Sequence, residues 1–353
     1  MPAGLDGVVV TDTALSHSDP DAGRLWICGR PLEEAIGVLG FEGTVALLWQ
    51  GLTGSVHTRD DIRHSLGTGR RHAFDRAGSW LGQTAALPIA EALRVCLASI
   101  PDTCTAAEIT GAVSVGVATI LRQTRGLPPV APDPTLSAPA DLLRMIVDTP
   151  ASPPAEHALD AYFTVAAENG LSPSTFAARV IASTRASLSS AVLGAYCAFT
   201  GPLHGAAPGL VLAMLDDAQA SGDVDGWLEH KLSAGERLPG FGNRAFPSGD
   251  PRAKALAKPL CGLAPDDTRI RFAADFERRA MVALTRHRPG RRLHPNFELN
   301  AALLLEACGI PREAFTAVFA AARVVGWLAH AFEQQQTGRM IRPRSRYVGP
   351  PLM

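Results

Sequence analysis

The chain has 353 residues, enough for one large domain or two modest ones around a sizeable buried core. Hydrophobic residues make up 46% and charged residues 19%, which excludes a disordered or fibrous protein. Lys and Arg number 33 against 34 Asp and Glu, so no global field draws in nucleic acid or anionic lipid, and an anionic ligand needs a local arginine cluster.

The cysteines (28, 96, 104, 197, 261 and 308) are scattered, with no C-x-x-C pair and no metal-ligand spacing. A reduced, cytoplasmic setting is the expectation, with no metal. Met1-Pro-Ala-Gly-Leu-Asp-Gly7 lacks a basic and an apolar region, so no secretion signal is expected. No apolar run is expected to span a bilayer.

In chain order, Val8–Thr13 and Arg24–Cys28 are short β-prone runs flanking a turn at Asp19–Gly23, and they predict a small hairpin. Helices are expected at Leu32–Leu39 and at Thr44–Gly51, the latter starting at Gly43-Thr44. Thr58 before Asp60 and Asp61 suits another helix start. Ala85–Ile100 and Thr105–Gln123 read as longer helices, and Thr105 with Glu108 has capping-box spacing. The small residues of Gly111–Ala118 suit close packing in a buried helix. Arg125–Pro139 holds five prolines and no apolar period, so it reads as a connector.

Helices resume at Ala140–Val147 and Ala155–Glu168, and Ser174 is expected to open one long helix through Phe199. Leu210–Ala220 and Val224–Ala234 follow, then a glycine-rich loop, Leu238–Asp250. Pro251–Leu260 and Asp275–Arg288 read as helical, with Arg291–Glu298 a basic loop leading into a helix at Leu299–Cys308. Pro311 starts a final helix of about two dozen residues by its apolar period. A basic, irregular tail, Met340–Tyr347, closes the chain. The fold class is therefore all-α with a token hairpin.

The stretch Gly201-Pro-Leu-His-Gly-Ala-Ala-Pro-Gly209 places His204 between backbone-permissive residues. A neutral imidazole held there can donate a hydrogen bond to an oxygen that gains negative charge. Taken alone, an isolated His-Gly is more simply a turn between helices, and the surrounding motifs decide.

Five stretches together resemble the citrate synthase family. They are Asn169–Val180, Gly201–Ala207, Gly240–Phe246 followed by Asp250-Pro-Arg-Ala-Lys254, His294-Pro-Asn-Phe-Glu298, and Ala322–His330 with Arg342-Pro-Arg344. They lie in the family's order and at similar spacings, with the weakest match in the N-terminal third. The resemblance implies a two-domain helical fold. Residues 1–205 and 314–353 would form a large domain, and residues 206–313 a small one. It also implies a homodimer with the active site in the cleft, closing to exclude water. The reaction implied joins an acyl-CoA to a 2-oxo acid. A carboxylate takes the α-proton, one histidine stabilises the enolate oxygen, another polarises the ketone, and arginines hold the carboxylates.

By that resemblance His204 is the enolate-stabilising group and Glu298 stands in place of the family's catalytic aspartate. Asn243 stands in place of the ketone-polarising histidine. Asn169 replaces the histidine that contacts the oxo acid, and Arg252, Arg323 and Arg342 fall on the substrate-arginine positions. Arg342 would complete the neighbouring subunit's site. Coenzyme A would be a co-substrate, with no permanently bound cofactor, held around Gly240, Phe241 and Gly242 with Arg291 and nearby Arg244, Lys254 or Arg292. Pro247 occupies a position that is usually basic. An amide can donate to a carbonyl oxygen but cannot pass a proton near neutral pH.

The expectation is therefore an acyl-CoA-condensing enzyme whose carbonyl acceptor differs from oxaloacetate. The alternative is a non-catalytic paralogue that binds CoA esters or dicarboxylates, or that assembles with a true synthase. His294 and His330 are expected to be structural.

Overall fold

One turn sets the N-terminal β-structure. Asp19 Oδ1 accepts the backbone N–H groups of Asp21 (3.1 Å) and Ala22 (2.9 Å), which ends strand β1 (Ser16–Asp19) at that residue. Gly23, at φ +60°, returns the chain into β2 (Arg24–Ile27), with Asp19 paired to Arg24 and Ser16 to Ile27. A third strand, β3 (Arg30–Pro31), pairs antiparallel with β2. The expected strand at Val8–Thr13 does not form. Its valines are exposed, and the turn at Asp19 gives their place in the ladder to Ser16–Asp19.

The structure is a computed structural model describing residues 3–5, 7–50, 56–202, 204–205, 207–243, 245–263, 267–291 and 293–351. Beyond the sheet it is helical. Leu32–Glu34 runs through a π-helical stretch to the helix Gly40–Trp49, so Gly43 and Thr44 lie inside that helix rather than at its start. Gly40, at φ +64°, is the actual break. Helices Arg59–Arg76 and Ala106–Thr124 both begin with complete capping boxes, Thr58 with Asp61 and Thr105 with Glu108. These two helices cross in backbone contact. A Cβ on Gly69 would stand 2.3 Å from Ala107 O, and one on Gly111 would stand 2.4 Å from Gly69 C. Between them in sequence, Ile89–Ala98 starts only after Pro88, later than Ala85.

Ala138–Val147 and Pro153–Ala167 follow the proline-rich connector. The single helix expected over Ser174–Phe199 is two helices, Pro173–Ser183 and Leu188–Phe199. Arg185 adopts φ +64°, and the Ser187 side chain accepts the Ser190 N–H as a new N-cap. A serine cap inside an apolar run outweighed the continuous hydrophobic period. The remaining helices are Ala207–Ala220, Val224–Ser233, Pro251–Leu263, Thr268–His287, Phe297–Ala307 and Phe315–Thr337.

Phe315–Thr337 is the axis of the molecule, packed against Ala106–Thr124, Pro153–Ala167, Pro173–Ser183 and Leu188–Phe199. By length and hydropathy the segment Arg312–Thr337 could cross a membrane, contrary to the expectation for this chain; 89% of its apolar window is buried in the protein's own core. Gly326 brings this helix into backbone contact, since a Cβ there would lie 2.2 Å from Ala167 O. That contact sets the end of Pro153–Ala167, and hence Asn169, against the axial helix. All six cysteines are free thiols.

Candidate active site

The His204 turn is fixed from both sides. Its N–H donates to Gly201 O (2.9 Å), and Gly205 N–H donates to Phe199 O (2.9 Å). A Cβ on Gly205 would meet Phe199 O at 2.6 Å, so only glycine lets the chain pass here. The Phe199 ring meets the imidazole edge-on at 5.0 Å. Across the turn, the helix Pro173–Ser183 presents Ser174, whose hydroxyl lies 2.8 Å from His204 Nε2 and whose backbone N–H points at the same nitrogen at 3.4 Å. A backbone N–H can only donate, and Trp327 Nε1–H donates to the Ser174 oxygen (3.1 Å). Nε2 is therefore an acceptor, and the ring proton sits on Nδ1. Burial, and then the charge of Arg323, lower the His204 pKa to about 4, so the ring is neutral at physiological pH.

Glu298 sits in the first turn of Phe297–Ala307, not at the end of a loop as its sequence context suggested. Asn296 caps this helix by accepting the Glu298 N–H (3.0 Å). Asn296 also ties the helix to the glycine loop. Its Nδ2 donates to Gly242 O (2.9 Å), its N–H donates to Gly240 O (2.8 Å), and Gly242 N–H donates to His294 O (2.8 Å). Gly240 and Gly242 both take positive φ, which lets the loop double back against Pro295. Burial raises the Glu298 pKa, with the neighbouring Arg252 charge opposing and Asp250 reinforcing. The carboxylate makes no hydrogen bond or ion pair with any described residue.

Asp250 organises the opposite wall. It accepts Arg252 Nε (2.9 Å) and Nη2 (2.8 Å), the Phe297 N–H (3.0 Å) and Asn243 Nδ2 (2.8 Å). Burial pushes its carboxyl up, but the charge and hydrogen bonds of Arg252 pull harder and leave it below the usual carboxylate range. Asn243 is held at both ends, because its Oδ1 accepts the Ala245 N–H (2.9 Å). One amide hydrogen remains for a ligand. Arg252 is gripped between Phe246 and Phe297, 5.7 and 5.1 Å from their ring centres. Arg323, on the axial helix, lies over Phe319 at 5.2 Å and donates Nε–H to Ala166 O. Its remaining guanidinium nitrogens have no hydrogen-bond partner among the described residues, though the buried Glu168 carboxylate interacts with its charge.

These groups line one cavity of about 470 Å³. Asn169, His204, Asn243, Arg252, Glu298 and Arg323 all border it, with Ser172, Arg237, Gly242, Asn296 and Phe319. Six of the seven residues expected to act on substrate thus meet in one place. A neutral N–H donor, an unpaired carboxylate and two buried guanidinium groups facing one small space suit enolisation of a carbonyl compound and capture of a carboxylate.

The family model described as "Citrate synthase, C-terminal domain" matches residues 4–344. The chain belongs to the citrate synthase family. Among its curated relatives, a citrate synthase from Haloferax volcanii is 32% identical, covering 99% of this chain and 96% of that protein. A 2-methylcitrate synthase from Mycobacterium tuberculosis is 30% identical, covering 98% and 90%. The crystal structure of citrate synthase from Thermotoga maritima matches with a TM-score of 0.87 at 30% identity, covering 99% of this chain and 96% of that one. Citrate synthase family members are CoA-dependent condensing enzymes.

Other residues singled out on the citrate synthase resemblance lie elsewhere. Arg342 is exposed on the tail and does not border this cavity; the tail is pinned by the Ile341 N–H to Ser183 Oγ (3.0 Å). Lys254 borders a separate cavity of about 540 Å³, and Arg291 another of about 600 Å³. Gly242 borders the site, whereas Gly240 and Phe241 support it from behind. Arg244 and Arg292 lie outside the described residues. Pro247 is exposed beside the buried Phe246.

His330 is fully buried. Arg179 Nη1 donates to its Nδ1 (3.0 Å), so its Nε2–H donates to Glu168 Oε1 (3.1 Å), a structural pairing beside Asn169. Two contributors escaped the sequence reading: Ser174, which sets the His204 tautomer, and Arg237, an exposed cation bordering the cavity. Arg237 stands three residues before the Gly240-Phe-Gly turn, and that proximity was its only signal.

Proposed function

We propose that this chain condenses an acyl-CoA, acetyl-CoA first among them, with a 2-oxo acid or related carbonyl acceptor other than oxaloacetate. The observation that carries this reading is the shared cavity of His204, held neutral with its free N–H on Nδ1, and Glu298, whose carboxylate is unpaired. Glu298 takes an α-proton from the thioester, and His204 Nδ1–H stabilises the enolate oxygen. Arg252 and Arg323 hold the acceptor's carboxylate, and the remaining N–H of Asn243 polarises its carbonyl. Both asparagine replacements fall on the acceptor side, which is why the acceptor, rather than the thioester, is expected to differ. Coenzyme A enters as co-substrate along the Gly240–Gly242 loop. The working unit in this reading is a cytoplasmic homodimer of two-domain subunits, with Arg342 of each completing the other's site.

Water then cleaves the C–S bond of the condensed thioester, giving the carboxylate and free coenzyme A, so thiol release from acetyl-CoA, measured with a panel of carbonyl acceptors, tests the reading. Turnover with one acceptor well above that with oxaloacetate is expected. No turnover with any of them, together with no exchange of acetyl α-protons, would overturn it.

A second reading, a non-catalytic paralogue, draws on the way Asp250 and Ala245 immobilise the Asn243 amide, which leaves no proton donor at that position. In that case CoA esters or dicarboxylates raise the melting temperature without being consumed, and His204→Ala changes nothing.

A further inference from the structure

The proposed condensation creates a proton requirement that the cavity meets in only one way. Attack of an enolate on a carbonyl leaves an alkoxide, and that oxygen must be protonated. Asn243 occupies the position from which a histidine would give the proton. Its amide is fixed, with Oδ1 on the Ala245 N–H and Nδ2 on Asp250, and an amide does not release a proton in this range.

The other described groups around the cavity are no better placed. Asn169 and Asn296 are amides, and Arg237 and Arg252 are guanidinium groups. Burial lowers the Arg323 pKa to about 10, but its Nε–H is given to Ala166 O and its other N–H groups hold the acceptor's carboxylate, so its protons point away from the new alkoxide. The Ser172 hydroxyl is engaged with Ser174 and Thr175. His204 has its Nε2 occupied by the Ser174 donors, so its one ring proton is the Nδ1–H that supports the enolate. A neutral imidazole is far too weak an acid to surrender it. Glu298 alone remains, and it has just become a carboxylic acid.

We propose, on the strength of the condensing reading above, that Glu298 is both base and acid. The proton it takes from the acyl α-carbon is the one it delivers to the acceptor oxygen. The balance closes without another reactant. The α-C–H bond breaks, its proton forms the Glu298 carboxylic acid, and its electron pair becomes the enolate. The enolate carbon bonds to the acceptor carbon, and the carbonyl π pair moves to oxygen. That oxygen takes the Glu298 proton, leaving a 3-hydroxyacyl thioester and the original carboxylate.

Two structural features fit the double role. The Glu298 carboxylate has no fixed partner among the described residues, so it can swing between two oxygen and carbon positions in one cavity. Its extra methylene, relative to the aspartate of the resemblance, lengthens that swing about the pivot provided by the Asn296 cap.

The test compares two readouts across pH in the unaltered protein, Asn243→Ala and Asn243→His. One is deuterium washout from trideuterated acetyl-CoA. The other is condensed product with oxaloacetate and with glyoxylate. With Glu298 acting alone, washout and condensation share one acid limb, and condensation shows no separate alkaline limb. Asn243→Ala slows condensation but keeps the profile. Asn243→His raises condensation relative to washout by about tenfold or more and adds an alkaline limb near the imidazole pKa of ~6.5.

An alkaline limb in condensation but not in washout, in the unaltered protein, would show a separate acid and overturn the proposal. Washout without condensation in the unaltered protein, with an acceptor that Asn243→His does condense, overturns it too, since the site then takes the acceptor but Glu298 alone does not protonate its oxygen. Absence of washout sinks the enolisation itself, an outcome distinguishable from the other two.

Discussion

Ser174 decides which nitrogen of His204 carries the proton, and that choice decides what the ring can do. With Nε2 occupied from the Ser174 side, the remaining donor is Nδ1–H, on a neutral ring that borders the cavity. Ser174→Ala keeps the backbone donor but loses the hydroxyl, so α-proton exchange is expected to fall about tenfold, whereas His204→Ala should cost on the order of 100-fold or more. Ser174→Thr, which restores a hydroxyl, should recover most of the rate. The readout is deuterium washout at matched melting temperature.

In the proposed reaction Glu298 sets the pH dependence of the same step. It must be ionised to act, and burial raises its pKa above the ordinary 4.5. Exchange should therefore fall away on the acid side at a pH above 4.5, and rise to a plateau towards neutrality. His204, with its pKa near 4, stays neutral through that limb and adds no inflection of its own above it. Glu298→Gln should abolish exchange, by about 100-fold to 10,000-fold for a lost general base.

At the scale of the elements, the site depends on a few places where backbone meets backbone. Gly326 brings the axial helix against the end of Pro153–Ala167 and so positions Arg323 one turn earlier beside Asn169. Gly326→Ala puts a methyl 2.2 Å from Ala167 O, a carbonyl that cannot move without shifting its helix. A loss of about 1–3 kcal/mol in urea unfolding is expected, with a weaker affinity for the acceptor than for acetyl-CoA. The amphipathic periods, capping boxes and proline breaks located most helices from sequence. The break at Thr184–Ser187 was missed because the apolar pattern runs through it. The helical start at Phe297 was missed because basic residues and proline precede it.

Across the whole molecule, one buried carboxylate makes stability depend on pH away from the site. Asp160, on Pro153–Ala167, faces the start of Gly40–Trp49 and accepts the Phe41 N–H (3.1 Å). Burial, and then the charge of Glu42, raise its pKa to about 6, against the pull of the Phe41 hydrogen bond, Arg59 and His157. A folded-state pKa above the unfolded value means the folded form is favoured below about pH 4, and this advantage is lost as pH rises through 6. Asp160→Asn removes the cost of ionisation while its side-chain oxygen can still accept from Phe41. The variant should match the parent near pH 4 and exceed it above pH 6, by up to about 2–3 kcal/mol. Urea denaturation at the two pH values checks this.

The sequence by itself determined the helical class and the family, and it named the candidate groups that the cavity brings together. Those are carried by local periodicity and by short motifs whose residue types are read directly. It also exposed Asn169 and Asn243, the two asparagines on which the proposed change of acceptor rests. Only the tertiary structure decided that the His204 ring proton sits on Nδ1, that Asp250 locks Asn243, and that Glu298 stands unpaired among the described residues on a helix start. These arrangements join segments far apart in the chain, Trp327 with Ser174 and the Phe297 N–H with the Asp250 that also holds Asn243. Hydrogen-bond direction and burial exist only once those segments are packed together.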